Sequence, residues 1–231
     1  RESSEIEAYT GPAIYLPEVE APPEPKEVDR KVIKENFPDT ETPRLERRVV
    51  KLSDNTVLSD GPSKEFYSNG QLYSEGQYKL GKVIGSWTYY HPNGQVAKEV
   101  AYADGKPSGE VKVFNEEGKV VAKREYAAGR RAGVWEVYNE TGEQKTREDH
   151  YQDGKANGVF KVWYDNGQIR REVPFANGKQ DGVAKEWTRI GDKRAEVSFK
   201  DGLKDGKAII WQRDGKTVEQ VYEAGKLIPK E

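Results

Sequence analysis

The chain has 231 residues, of which only 34% are hydrophobic and another 34% are charged, and this composition excludes a thick two-layer core. Its 10% of aromatic residues is untypical of disorder, its net charge of −2 predicts no field that would attract nucleic acid, and it has no apolar run of about eighteen residues that would predict a membrane helix. Cysteine is absent, which excludes disulfides, thiol catalysis and thiolate metal sites. We therefore expect a thin, extended molecule held together by aromatic side chains.

Residues 1–45 differ from the rest of the chain and are predicted to form an extended arm rich in proline and glutamate. Residues 26–36 are predicted to form a short helix that ends before Pro38, because Val28, Val32 and Ile33 fall on one helical side. Residues 12–19 form an apolar island in acidic surroundings. We expect its contiguous bulky residues to be anchors that bind a partner or the chain's own sheet: Ile14, Tyr15 and Leu16. The alternative is that the arm is a disordered tether.

Residues 46–231 are dominated by a glycine repeat. Twenty-one of the 23 glycines form three series of seven, in which successive glycines are 24 residues apart. Each series contains one step of 25 residues, and the third also contains one of 23. The first series is Gly61, Gly85, Gly109, Gly133, Gly158, Gly182 and Gly206, and it marks the predicted repeat starts. The second is Gly70, Gly94, Gly118, Gly142, Gly167, Gly191 and Gly215. The third is Gly81, Gly105, Gly129, Gly154, Gly178, Gly202 and Gly225.

The segments between these glycines predict antiparallel β-hairpins. Asn-Gly and Asp-Gly pairs of the second series favour tight turns with positive φ at both residues, and the third series is expected to form slightly longer turns. Apolar and polar residues alternate between turns, so we expect an all-β, elongated, single-layer meander of seven hairpins, or about fourteen strands. A lone strand at 46–52 and Pro229 are expected to cap the ends, and one extra residue within 143–153 is expected to be a β-bulge.

Two columns of aromatic residues follow the repeat. The first is Phe66, Tyr90, Phe114, Tyr138, Trp163, Trp187 and Trp211, and the second is Tyr78, Tyr102, Tyr126, Tyr151, Phe175, Phe199 and Tyr222. One interpretation is that these rings stack into the thin core of the sheet. The other is an exposed face that binds glycan chains or peptides, for which Trp163, Trp187 and Trp211 are best placed.

Residues that could support catalysis or metal binding are sparse. His91 and His150 have no second ligand at metal spacing, so we expect no catalytic residue, metal or cofactor. A glutamate recurs at or near one slot of each repeat, which favours a solvated face or a row of ion pairs: Glu75, Glu99, Glu125, Glu148, Glu172 and Glu196. The arginines at 124, 130, 131, 170 and 171 favour ordinary surface, with an acidic partner as the alternative.

The segment from Gly85 to Gly109, GSWTYYHPNGQVAKEVAYADGKPSG, is similar to the variant MORN repeat of bacteria, and the resemblance extends over residues 61–229. The resemblance implies a scaffolding role and a disputed role in lipid binding. Proteins with this repeat are often labelled YwqK-type antitoxins, and many are exported bacterial proteins.

Our first hypothesis is therefore a non-enzymatic protein-interaction module or a subunit of a larger assembly, exported to a bacterial envelope or otherwise cytoplasmic. Its expected partner is another protein rather than nucleic acid, and membrane association would need an anchor outside the sequence. The alternatives are a toxin-binding antitoxin, or glycan or lipid binding through an aromatic face.

Overall fold

The computed structural model describes residues 22–229, whose regular structure is entirely β. The strands are β1 (Glu27–Asn36), β2 (Pro43–Leu52), β3 (Val57–Phe66), β4 (Leu72–Lys79), β5 (Lys82–Tyr90), β6 (Val96–Ala103), β7 (Lys106–Phe114), β8 (Val120–Ala127), β9 (Arg130–Tyr138), β10 (Lys145–Gln152), β11 (Lys155–Ala156), β12 (Gly158–Trp163), β13 (Ile169–Ala176), β14 (Lys179–Gln180), β15 (Gly182–Trp187), β16 (Lys193–Lys200), β17 (Leu203–Trp211), β18 (Thr217–Glu223) and β19 (Lys226–Ile228). Neighbours along the chain pair antiparallel in one open sheet, which confirms the predicted meander. No helix between residues 22 and 229 is long and apolar enough to cross a membrane.

The sheet begins earlier than predicted, because residues 27–36 form a strand and the helix expected over 26–36 is wrong. β1 pairs with β2 along its whole length, with Val32 opposite Arg48 and Ile33 opposite Arg47. The apolar spacing of β1 fits a helix, but only an extended β1 can form backbone hydrogen bonds to β2 along its length. The segment at 46–52 therefore lies inside β2, between β1 and β3, and is not a lone strand.

The two kinds of turn are the reverse of those predicted. Asp104 and Gly105 of the third series both have positive φ, 51° and 79°, and form the tight two-residue turn. In the turns of the second series only the glycine has a positive φ. Gly94, for example, has φ 85° and donates its N–H to the His91 carbonyl at 2.8 Å. The His91 N–H donates in turn to the Gln95 carbonyl at 2.8 Å, which closes a three-residue loop. Asn-Gly and Asp-Gly pairs suit both geometries, so the sequence pattern could not separate them.

The first strand of each repeat bends at its first-series glycine. Between β4 and β5 the pairing jumps from Glu75–Thr88 to Gln77–Ile84, so residues 85–87 lie opposite Gly76 alone. Gly85 has φ 66°, a conformation that few side chains tolerate. Within the hairpin each such glycine pairs with an aromatic of the second column: Gly61–Tyr78, Gly85–Tyr102, Gly109–Tyr126, Gly133–Tyr151, Gly158–Phe175, Gly182–Phe199 and Gly206–Tyr222.

The irregular steps of the repeat have two different origins. Six of the seven hairpins that follow β2 carry a one-residue bulge just after the turn, whereas β17 and β18 pair without one, which accounts for the shorter step from Gly215 to Gly225. The extra residue predicted to be a bulge within 143–153 lies instead in the turn, where the Asn139 N–H donates to the Gln144 carbonyl at 2.9 Å. Turn residues face solvent, so an insertion there leaves the strand register unchanged.

The two faces of the sheet differ in burial. We call the face that carries Trp87 the front face and the opposite one the back face. Within residues 22–229, eight of the nine buried apolar residues alternate onto the front face: Val49, Trp87, Val100, Val111, Ala122, Val173, Ala184 and Ala208. The second aromatic column also lies on the front face, but the first lies on the back face, so the two columns do not form one core. All fourteen column residues are half-buried.

Gly76 is the one glycine of residues 22–229 that belongs to none of the three series, and the Trp87 ring explains it. Trp87 is only 3% exposed, and a Cβ added to Gly76 would lie 2.3 Å from two of its ring carbons.

We expect Gly76→Ala to lower the free energy of unfolding by about 1–3 kcal/mol because the ring must move. In a Trp87→Val background the same change is expected to be nearly neutral, as measured by denaturant unfolding. Equal costs in both backgrounds would contradict this packing.

The repeat frame predicts which deletions the sheet tolerates. Removing residues 109–132 joins Ser108 to Gly133 and restores the strand register, whereas removing only residues 109–120 joins mismatched strands. Since each repeat contacts only its neighbours, we expect the first variant to fold with a cooperative thermal melt and the second to fail. Similar circular dichroism and melting for both variants would show that the 24-residue frame is wrong.

Candidate functional site: an arginine-lined row of rings

The middle of the front face carries an unbroken row of aromatic rings. Tyr126, Trp135, Tyr151, Phe160 and Phe175 follow one another from β8 to β13, with successive ring centroids 5.2, 5.2, 5.4 and 4.5 Å apart. Strands lie about 4.8 Å apart, so one ring from each strand brings neighbouring rings into contact. Every ring in the row is half-buried, and the row therefore forms a continuous apolar stripe that is still accessible.

Arginines on the same face border these rings. The Arg131 guanidinium lies 5.5 Å from the Trp135 ring centroid and 5.0 Å from that of Tyr151, and it donates to the Tyr151 hydroxyl at 3.2 Å. Arg124 lies 5.4 Å from the Trp135 ring, and Arg171 pairs with Val162 beside Phe160. Cation–π contact holds a guanidinium at a fixed place on the sheet.

Most of this positive charge is not neutralised within the described part of the chain. Arg147 on β10 pairs with buried Asp149 at 2.9 Å, but no carboxylate of residues 22–229 lies within ion-pair distance of Arg124, Arg131 or Arg171. We call the five rings together with Arg124, Arg131 and Arg171 the arginine–ring strip. Its chemistry suits a ligand that carries both carboxylates and apolar groups. Guanidinium groups already lie over Trp135 and Tyr151, which leaves less ring face for stacking a nucleotide base.

The site residues predicted from the sequence lie elsewhere. Trp163, Trp187 and Trp211 lie on the back face near the turns and are half-buried. Lysine ammonium groups lie near two of these rings, with Lys145 Nζ 6.0 Å from Trp163 and Lys193 Nζ 5.4 Å from Trp211. The predicted anchors at 14–16 fall outside the described residues.

Sequence reasoning missed the ring row because two of its five rings come from a third position of the repeat. Trp135 and Phe160 stand two residues after a first-series glycine, and the same position in the other repeats holds Ser63, Trp87, Val111, Ala184 and Ala208. That mixture gives no aromatic column in the sequence. The row could have been found from the large residues that occupy this position in four successive repeats, which are Trp87, Val111, Trp135 and Phe160. The second aromatic column is uninterrupted in the same repeats.

The back face is a charged surface. Glu75, Glu148 and Glu196 of the predicted glutamate slot form ion pairs with Lys64, Lys145 and Lys193, at 3.8, 2.7 and 2.8 Å. Glu125 lies two positions away from the slot, which holds Lys123 in that repeat. These pairs favour the structural interpretation of the glutamates over acid–base chemistry.

Lys145 lies between two carboxylates, Glu136 and Glu148. Burial alone would raise the pKa of each carboxyl, but hydrogen bonds from Lys145, and from Tyr138 to Glu136 and His150 to Glu148, lower both pKa values below the usual 4.5. Burial opposes the charge of Lys145 as well, yet the two carboxylates raise its pKa. The three groups therefore hold one another in the charged form.

The Asn residues of the second-series turns connect neighbouring repeats. Asn93 Oδ1 accepts from the Gln95 N–H at 2.9 Å, and its Nδ2 donates to the Glu116 carbonyl of the next turn at 3.1 Å. Asn69, Asn115 and Asn166 make the same two kinds of contact. These bonds fix the spacing of successive turns and so make the strip a regular surface.

The histidines take part in structural contacts. His91 Nε2 lies 2.9 Å from the Phe114 carbonyl oxygen, and His150 Nε2 lies 2.8 Å from Glu148 Oε1. Residues 22–229 contain no cluster of three or more acidic, histidine or cysteine side chains that could hold a metal ion.

Four segments of the chain are similar to a known repeat family. Residues 59–80, 84–104, 107–128 and 156–177 match the family model of the MORN repeat variant. The curated proteins include no match to the chain. Repeats of this family commonly form contacts with proteins or membranes, and their all-β fold is typically non-catalytic. The arginine–ring strip begins at the end of the third matched segment, crosses residues 129–155, which no segment matches, and ends in the fourth.

The Lys145 cluster predicts a pH dependence of stability. Because the folded state lowers the pKa values of Glu136 and Glu148, their contribution is present above about pH 4.5 and is lost as the pH falls through the folded values. We expect Lys145→Met to reverse this dependence, since the two carboxylates then repel and protonation relieves them. Denaturant unfolding from pH 7 to pH 3 measures the difference, and parallel curves for variant and wild type would exclude it.

Proposed function

We propose that this protein is a non-enzymatic interaction module that holds an extended segment of a partner protein along the arginine–ring strip. The observation that carries the proposal is the arrangement of Arg124, Arg131 and Arg171 beside an uninterrupted row of accessible rings. Such surfaces bind through aromatic and arginine anchors, which dominate the energetics of protein interfaces. The match to an interaction-type repeat supports the same conclusion.

The dimensions of the strip set the size of the partner segment. The row crosses from β8 to β13, about four strand spacings or roughly 19 Å. An extended chain covers that distance with about six residues. A contact of this length is short, so the partner segment must be anchored by a few well-placed carboxylates and apolar side chains.

The other functions that the sequence suggested receive less support from the geometry. Glycan or lipid binding through Trp163, Trp187 and Trp211 would use back-face rings, two of which have a lysine ammonium nearby. Toxin neutralisation would be a special case of the same partner binding. Export to a bacterial envelope remains a prediction from resemblance.

Adjacent arginines on opposite faces provide a matched test. Arg131 faces front, and its neighbour Arg130 faces back. Arg171 also faces front, whereas the guanidinium of its neighbour Arg170 lies 5.7 Å from the ring centroid of the turn residue Tyr164. All four arginines are exposed. We expect Arg131→Gln with Arg171→Gln to reduce recovery of the native partner at least tenfold, and Arg130→Gln with Arg170→Gln to leave it unchanged. The measurement is quantitative co-purification of the tagged full chain from its native source, with melting temperatures as the folding control. Equal recovery with both pairs would contradict the proposal.

A further inference from the structure

We infer that the arginine–ring strip also docks the chain's own N-terminal segment, residues 1–21, with the apolar island at 12–19 against the first rings. This inference rests on the proposed function, because it assigns the same strip an occupant from within the molecule. The charge, the apolar pattern and the length of the segment all fit the strip.

The charge of the segment complements that of the strip. Residues 1–21 contain five glutamates and one arginine: Glu2, Glu5, Glu7, Glu18, Glu20 and Arg1. The strip carries three guanidinium groups with no carboxylate of residues 22–229 within ion-pair distance; Glu186, the cross-strand neighbour of Arg171, is paired with Arg194 at 3.2 Å. Elsewhere on the front face the cations are compensated or dispersed; for example, Arg47 is paired with Glu65 at 2.7 Å. Attraction between the acidic segment and this sheet is therefore strongest at the strip.

The apolar pattern of the segment suits the rings. Ile14, Tyr15 and Leu16 stand between Pro12 and Pro17, which restrict the backbone to extended conformations and lower the entropy that binding must remove. Proline-flanked extended segments commonly dock on surfaces lined with aromatic residues. Guanidinium groups beside the rings then pair with the flanking glutamates.

The length of the segment matches the distance to the strip. β1 and β8 are seven strand spacings apart, or about 34 Å. From Lys26, just before β1, an extended chain reaches that distance in about ten residues, which places Leu16 near Tyr126. Glu7, nineteen residues before Lys26, reaches as far as Arg171 on β13. Both the island and the glutamates before it are thus long enough to follow the strip.

Tethering favours the chain's own segment over a free one. A segment tethered to the sheet has a far higher effective concentration than a free one, so even a weak contact is populated. An outside partner that uses the same strip would then have to displace it. A second copy of the chain could supply the same segment, and dilution distinguishes the two cases.

The absence of cysteine allows site-directed spin labelling of the full chain. One label is placed at Ala13→Cys and the second at Val137→Cys or Val134→Cys. Both valines lie in β9 and are similarly exposed, 38% and 39%, but Val137 faces front and Val134 faces back. We expect a short, narrow interspin distance distribution for Val137 and a longer one for Val134. Arg131→Glu should broaden the Val137 distribution, and Arg130→Glu should leave it unchanged.

Three outcomes would overturn the inference. Broad and equal distributions from both valines would show that the segment is only a tether. A short distance that disappears when labelled chains are diluted into unlabelled ones would assign the segment to a second copy. Insensitivity to Arg131→Glu would show that another surface holds it. Any of these results leaves the proposed function intact if the front-face arginine pair still abolishes partner recovery, so the two failures are distinguishable.

Discussion

The structure depends on one constraint, which is that a single-layer sheet has no second layer to cover its side chains. Each side chain must be shielded by neighbours on the same face, one strand away. Every first-series glycine is the cross-strand partner of an aromatic of the second column, so the ring has no bulky side chain directly opposite it. Trp87 is the most complete case of such shielding. Its ring contacts Tyr78 and Tyr102 and occupies the space that a side chain at Gly76 would take, so it is almost completely buried.

The same constraint separates the two faces chemically. Front-face residues repeat in a narrow apolar row, whereas back-face residues include lysine–glutamate pairs that remain partly hydrated. A thin sheet therefore exposes two unlike surfaces, and a substitution on one face changes little on the other. This independence explains why adjacent arginines such as Arg130 and Arg131 lie in different environments. It also lets residues on the front face change while hydrogen bonds between turns preserve the spacing of the strands.

Much of the fold could be predicted from the sequence, and the errors were local. The 24-residue glycine pattern predicted hairpins, antiparallel order and a single layer, because positive φ and short connections leave few other topologies. β1 was mistaken for a helix because its apolar spacing fits both structures, and pairing with β2 decided between them. The turn types were reversed because Asn-Gly serves either geometry, and only the hydrogen bonds of the closed loop separate the two.

The candidate site shows the same division between sequence and tertiary structure. The sequence determined that rings and arginines recur with the repeat, since both can be counted along the chain. It did not determine which of them meet, because a residue's face depends on strand parity, and each bend and bulge resets that parity. Trp135 and Phe160 joined Tyr126, Tyr151 and Phe175 only through the cross-strand register, while Trp163, Trp187 and Trp211 were carried to the opposite face. The sequence determines which side chains each repeat carries, but backbone pairing across the sheet determines which side chains from different strands become neighbours.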